Sequence, residues 1–250
     1  MDFEQACKQA AAYKEPEGGI GVLAEKTVHA ALKWWLDDNP AHHEVLLPEG
    51  SIADIFDGHR VTEVQTAGFS AFRPKLQRLL AHYPVTVVHP VIRQKWLAWL
   101  SPETGEVTKP RRSSRMGGFF DAGRELVYLL PCLGHENLTI QLVLLDVEEC
   151  RLADGWGRGG KRGSHRVSRE PLCLCDTVTL SDAASYAALL PPSLPASFTT
   201  ADFSKAARLR GRALSGTLKV LLARDVVQRE KQGRTWVYHT IGHTDGHGQA

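Results

Sequence analysis

No stretch of this 250-residue chain approaches the roughly 18 to 20 consecutive apolar residues that a membrane-spanning helix needs. Its opening, MDFEQACKQAAAYKEPEGGI, mixes charges and has no apolar h-region, so a secretory signal is not expected. Cysteine is scarce. Cys7, Cys132, Cys150, Cys173 and Cys175 are odd in number and lack the spacing of a disulfide framework, so they read as reduced thiols of a cytoplasmic protein. Cys173-x-Cys175 has no second pair for a zinc site, and both thiols are expected to be buried. Repeats and low-complexity tracts are absent, which argues against a solenoid. GGIG precedes a helix but follows no strand, so it reads as a helix entry rather than a dinucleotide loop.

Net charge is also small, +2, but unevenly spread. Residues 199–250 hold 9 Lys+Arg against 4 Asp+Glu, while the remainder is close to balanced. A basic terminal module on a near-neutral body points to an anionic partner, most simply nucleic acid.

What is present reads as α/β. VLAEKTVHAALKWWL has apolar residues at helical spacing and ends at DDNP. HEVLLPEG reads as a first strand, and IADIFDG with RVTEVQT as a strand pair turning at Asp57-Gly58. RPKLQRLLAHY is an amphipathic helix, and PVTVVHPVI has the continuous apolar pattern of a strand buried on both faces. The order over residues 22–92 is thus helix, three strands, helix, strand. An insertion is expected around 93–131, then a long strand LTIQLVLLDVEECRL and a partner REPLCLCDTVTL. Between these two lies ADGWGRGGKRGSHR, a basic glycine-rich loop at 154–166 in which Arg158, Lys161 and Arg162, beside Trp156, can track a phosphate backbone.

Three polar residues break the strand pattern. Asp54 interrupts the second strand, and Glu63 and Gln65, two apart, emerge on one side of the third. If the pair forms a hairpin, Asp54 lies near Glu63, and the preceding helix can bring Glu25 toward them. Carboxylates converging in a buried place resist ionisation unless a hard cation joins them.

A helix with Glu25, then Asp54, then Glu63-Val64-Gln65 resembles the PD-(D/E)XK nuclease superfamily, in its restriction-endonuclease-like and Holliday-junction-resolvase-like branches. The resemblance implies an αβββαβ core with a mixed central sheet in a domain of residues 1–180. It also implies a magnesium- or manganese-dependent endonuclease acting on DNA. Asp54, Glu63 and the Val64 carbonyl would hold the metal, and Glu25 would bind it directly or through water. The motif's lysine is Gln65 here, and Lys75 on the next helix can stand in for it. A homodimer is implied where two strands must be cut. The alternative left open by Gln65 is a non-catalytic DNA-binding protein, such as a regulator, that keeps an idle nuclease fold.

Residues 181–241 resemble a winged helix domain: SDAASYAALL as first helix, a helix capped by Thr200, a turn at LRG, a second helix RALSGTLKVLLARD, and a hairpin turning at Gly233. That resemblance places Arg210, Arg212, Ser215 and Lys219 against DNA, with Lys231 and Arg234 on the wing. Leu214, Leu218, Val220, Leu221 and Leu222 read as core. Residues 242–250 are expected to be a disordered tail.

Overall fold

Hydrophobic and β-branched residues dominate the middle of the chain, and they build a sheet whose centre is covered on both faces. In a computed structural model, residues 1–12, 23–152 and 164–241 are described, with side chains for all of these but 23–26. Arg158, Lys161, Arg162, the side chain of Glu25 and the segment 242–250 therefore lie outside the described residues. Two helices, α1 (Phe3–Ala12) and α2 (Leu23–Leu36), precede three short strands, β1 (His43–Leu46), β2 (Ile52–Phe56) and β3 (Val61–Val64). Then come α3 (Phe69–Leu80), β4 (Val85–Leu100), the two-residue β5 (Arg111–Arg112) and α4 (Gly123–Leu126), flanked by 3-10 turns. Strands β6 (Leu138–Leu152) and β7 (His165–Leu180) complete the sheet.

The sheet runs β1-β2-β3-β4-β6-β7, with β5 paired to β4. Strands β1, β2 and β3 are antiparallel, β4 is parallel to β3, β6 is parallel to β4, and β7 returns antiparallel. The protein is thus α/β with a large mixed sheet. Its parallel centre is apolar on both sides, as such sheets must be. Val64, Val88, Val143 and Leu145 meet Val28 and Leu32 of α2 on one face. Val61, Val87, Ile140 and Leu142 meet α3 and later elements on the other.

Several elements differ from their sequence expectation, each for a tertiary reason. The fourth strand was expected to stop at Ile92, yet β4 continues to Leu100, past a bulge after Ile92, because β6 pairs with it throughout. Helix α3 begins at Phe69, not Arg73, and holds Pro74 inside. An internal proline costs about 3 kcal/mol. Burial of Phe69 and Phe72 is worth about 1.5–3 kcal/mol each and outweighs it. Glu125 supplies the missing cap, accepting from the Phe69 amide at 3.2 Å. Cys173 is exposed and Cys175 half-buried on the edge strand β7, where both were expected to be buried.

The C-terminal elements form a second, three-stranded sheet. They are a 3-10 turn (Ser185–Leu189), β8 (Ser197–Thr199), α5 (Thr200–Ala207), α6 (Gly211–Ala223), β9 (Val227–Gln232) and β10 (Thr235–Thr240), with strand order β8-β10-β9. The segment read as a first helix is only the 3-10 turn. Thr199, one residue before the expected cap, forms a capping box with Asp202. Gly233 turns the β9–β10 hairpin with φ of 61°.

These elements share one buried cluster with the large sheet: Phe198, Phe203 and Leu221 continue into Leu126, Leu129 and Leu180. Contact is closest where α6 crosses α4. Thr217 Oγ1 donates to the Phe120 carbonyl at 3.0 Å. A Cβ at Gly123 would lie 2.5 Å from Thr217 Cα. Gly123→Ala should therefore destabilise the protein by about 1–3 kcal/mol through overpacking, read as a lower denaturant midpoint. An unchanged midpoint would mean that α6 is not seated on α4.

Candidate carboxylate site

Asp54 and Glu63 belong to neighbouring strands that are paired only near their turn, at Ile55 with Thr62 and Phe56 with Val61. Beyond that point the Asp54 carboxylate takes over from the ladder. Its Oδ2 accepts the Val64 amide at 2.8 Å. The same oxygen lies 3.1 Å from His29 Nε2 on α2. Burial pushes the Asp54 carboxyl up, but the His29 hydrogen bond and the Val64 amide outweigh it and hold the group below its ordinary range. Asp54 is therefore ionised, and Nε2 of His29 is the donor.

Glu63 is the outlier. It is 2% exposed in the middle of a strand. Its Oε2 accepts from Lys75 Nζ at 2.6 Å, and that ammonium also donates to the Ile52 carbonyl at 2.7 Å. Its Oε1 is buried and has no hydrogen-bond partner among the described residues. Burial first, and the Asp54 charge second, push its carboxyl up to about 7 in spite of Lys75.

The expected residues are brought together in part. Asp54, Glu63 and Lys75 converge. Val64 contributes its amide to Asp54, where its carbonyl was the expected group. Gln65 turns its side chain back on its own loop, donating to the Ala67 carbonyl. Its backbone carbonyl accepts from Nδ1 of the buried His89 at 2.7 Å, which braces the strand end. Lys75 thus provides the positive charge that position 65 lacks. His29 was missed. It stands four residues after Glu25, and that i, i+4 spacing was the signal available. Among the described residues no three His, Cys, Asp or Glu side chains form a ready-made metal cage.

Two other buried carboxylates are fully compensated. Arg93 grips Asp146 with two bonds of 2.8 and 2.6 Å and holds it low. Burial pushes Glu149 up, but Arg169 at 2.8 Å and Lys95 at 3.5 Å bring it below its usual range. Matched charge of this kind is structural. A carboxyl raised toward neutrality, with an orphan oxygen, marks a functional candidate.

The residues expected to face DNA in the C-terminal elements are all exposed. Arg212, Ser215 and Lys219 form the exposed stripe of α6, opposite the buried Leu214, Leu218, Val220 and Leu221, while Leu222 is half-buried. Arg210 precedes the helix, and Lys231 and Arg234 stand exposed on the hairpin.

Fold and site together define a mixed-sheet α/β protein with a buried glutamate beside a half-buried aspartate and lysine at a diverging hairpin. The chain belongs to the family described as "Domain of unknown function (DUF8091)", which it matches over residues 26–181. That span contains His29, Asp54, Glu63 and Lys75 and ends just after β7. The chain is also 32% identical over 188 residues to an "Uncharacterized protein" of Treponema pallidum (strain Nichols), covering 74% of each. No solved structure matches it. No helix among the described residues is long and apolar enough to cross a membrane.

Because the folded Glu63 pKa lies above its ordinary 4.5, the native state binds the proton more tightly than the unfolded chain. The associated stability is complete at acid pH and is lost as pH rises toward and through about 7. The thermal midpoint of Glu63→Gln relative to wild type should therefore climb between acid and mildly alkaline pH. A climb of about 3 °C corresponds to roughly 1 kcal/mol in a chain of this size. A flat or falling difference would show that Glu63 is not raised.

Proposed function

We propose that the chain is a magnesium- or manganese-dependent endonuclease acting on DNA, with a PD-(D/E)XK-like core and a winged-helix-like C-terminal module. The observation that carries this reading is the buried Glu63 carboxylate, which has one oxygen on Lys75 and the other without a partner among the described residues, beside an ionised Asp54. Two carboxylates so close repel, and a hard divalent cation is the ligand that relieves them. Asp54 and Glu63 are the groups that would hold it. The backbone order gives further support: α2, three antiparallel strands, α3, then β4 parallel to β3. In the C-terminal module the order β8, α5, α6, β9, β10 and the sheet β8-β10-β9 support the winged-helix comparison.

When bound, the cation would neutralise the carboxylates and polarise a phosphoryl oxygen and a water. The chain's own residues prepare the place. The Val64 amide and His29 lock the Asp54 carboxylate in one orientation. Lys75 positions Glu63, and its ammonium can hold a non-bridging phosphate oxygen or orient the attacking water. Gln65, turned to Ala67, takes no part in that electrostatics. The same turning favours a second reading, a DNA-binding regulator without catalysis. A homodimer belongs to the first reading, since cutting both strands requires two sites.

The deciding experiment incubates supercoiled plasmid, linear duplex, single strand and four-way junction with magnesium or manganese. Asp54→Asn and Glu63→Gln should each lose about 100-fold or more of the cutting, the scale of removing one electrostatic stabiliser. Either ion should also raise the wild-type thermal midpoint and leave that of Asp54→Asn unmoved. Cutting that persists in both variants would remove the site assignment. No cutting by the wild type, with salt-sensitive DNA binding retained, would establish the regulator.

A further inference from the structure

Two basic, acid-free segments lie far apart in sequence and meet in space. Residues 109–115, KPRRSSR, hold four cations and no acid, and residues 204–212, SKAARLRGR, hold another four and no acid. The Arg208 guanidinium joins them by donating to the Ser114 carbonyl at 3.1 Å. Arg208 sits at the corner between α5 and α6 with φ of 51°, a left-handed turn that swings the chain around this point. A groove lined by Ala201, Ser204, Lys205, Arg208 and Arg210 opens there.

Some of this charge has a structural use. Arg115 pairs with Asp121, and Arg112 donates to Gln94 Oε1 at 3.0 Å. Lys109, Arg111, Lys205, Arg210 and Arg212 differ. All are exposed, and none has an ion pair among the described residues. Like charges gathered on one seam repel, and an anion offsets that cost. The arrangement also tells which kind of anion. A single phosphate site needs donors converging in a buried pocket, whereas these cations are exposed and belong to two segments that meet at Arg208 and Ser114. The α4–α6 contact, with Gly216 and Thr217 close against Gly123, packs the helix that follows the first segment against the helix that begins in the second.

We propose that this seam is a contact strip for the phosphodiester backbone of duplex DNA, built jointly by residues 109–115 and the α5–α6 corner. It rests on the DNA-binding part of the reading above and not on cleavage. The strip extends the contact surface beyond the exposed stripe of α6 and onto the body that carries the carboxylate site.

The test is fluorescence anisotropy of a short labelled duplex with the full chain in the presence of a chelator. It compares wild type with the double variants Lys109→Gln/Arg111→Gln and Lys205→Gln/Arg210→Gln. Each double variant should lose about tenfold in affinity at physiological salt and lower the slope of log affinity against log salt by about two, near 0.9 for each phosphate contact. Thermal midpoints should not change, since all four side chains are exposed. The chelator removes divalent ions, so binding is read without cleavage, which keeps failure of the nuclease reading separate from failure of this one. Wild-type affinity and slope in Lys109→Gln/Arg111→Gln would overturn the strip. Displacement of the duplex by inorganic phosphate at matched ionic strength would also overturn it, in favour of a single-anion pocket.

Discussion

The parallel strands β3, β4 and β6 must be covered on both faces, and the rest of the molecule is arranged around that constraint. Their side chains are apolar above and below, so neither face tolerates water. Helix α2 lies over one face. The other is larger and takes α3, the helical segment 119–129 and, through Leu126, Leu129 and Leu180, the C-terminal elements. The C-terminal module is therefore part of the cover, continuous with the main core rather than tethered to it. This explains the close α4–α6 crossing at Gly123 and Thr217, and the firm placement of the basic corner at Arg208.

The carboxylate site is a consequence of the same architecture. The antiparallel hairpin β2–β3 leads into a parallel centre, and its two strands pair only near the turn. The Val64 amide is left without the hairpin ladder, and the Asp54 carboxylate takes it. On the next strand Glu63 projects toward α3, where Lys75 meets it. One lysine shared with a backbone carbonyl does not satisfy both oxygens of a carboxylate so deeply buried, and the group rises toward neutrality. Asp146 and Glu149 show the opposite outcome in the same sheet. Arginines and a lysine surround them, and both are held low. Burial is common to Glu63, Asp146 and Glu149, and what separates Glu63 from Asp146 is that Arg93 meets both oxygens of Asp146, whereas Lys75 meets one oxygen of Glu63.

Charge outside the sheet follows a similar logic. The exposed stripe of α6 exists because the opposite side is buried, with Leu214, Leu218 and Leu221 turned inward. The polar positions left over are Arg212, Ser215 and Lys219. Segment 109–115 comes from an unrelated part of the chain, and the Arg208–Ser114 hydrogen bond brings it to the α5–α6 corner.

Local pattern was enough for much of this protein. Apolar spacing identified α2. Asp57-Gly58 and Gly233 identified two hairpins, and the interruption of two strands by Asp54 and Glu63 singled out the two acids that converge near Lys75. These signals are legible because they depend on residues within a few positions of one another. Tertiary structure decided the rest. Strand β4 runs to Leu100 because β6, some fifty residues away, keeps pairing with it. Helix α3 starts before Pro74 because two buried phenylalanines outweigh one lost hydrogen bond. His29 reaches Asp54 across 25 positions, and Lys75 rather than Gln65 reaches Glu63. Cys173 is exposed on the edge strand β7, which its own two-residue motif does not reveal. Which acid is compensated, and which is left with an unsatisfied oxygen, depends on contacts between distant segments that no local pattern encodes.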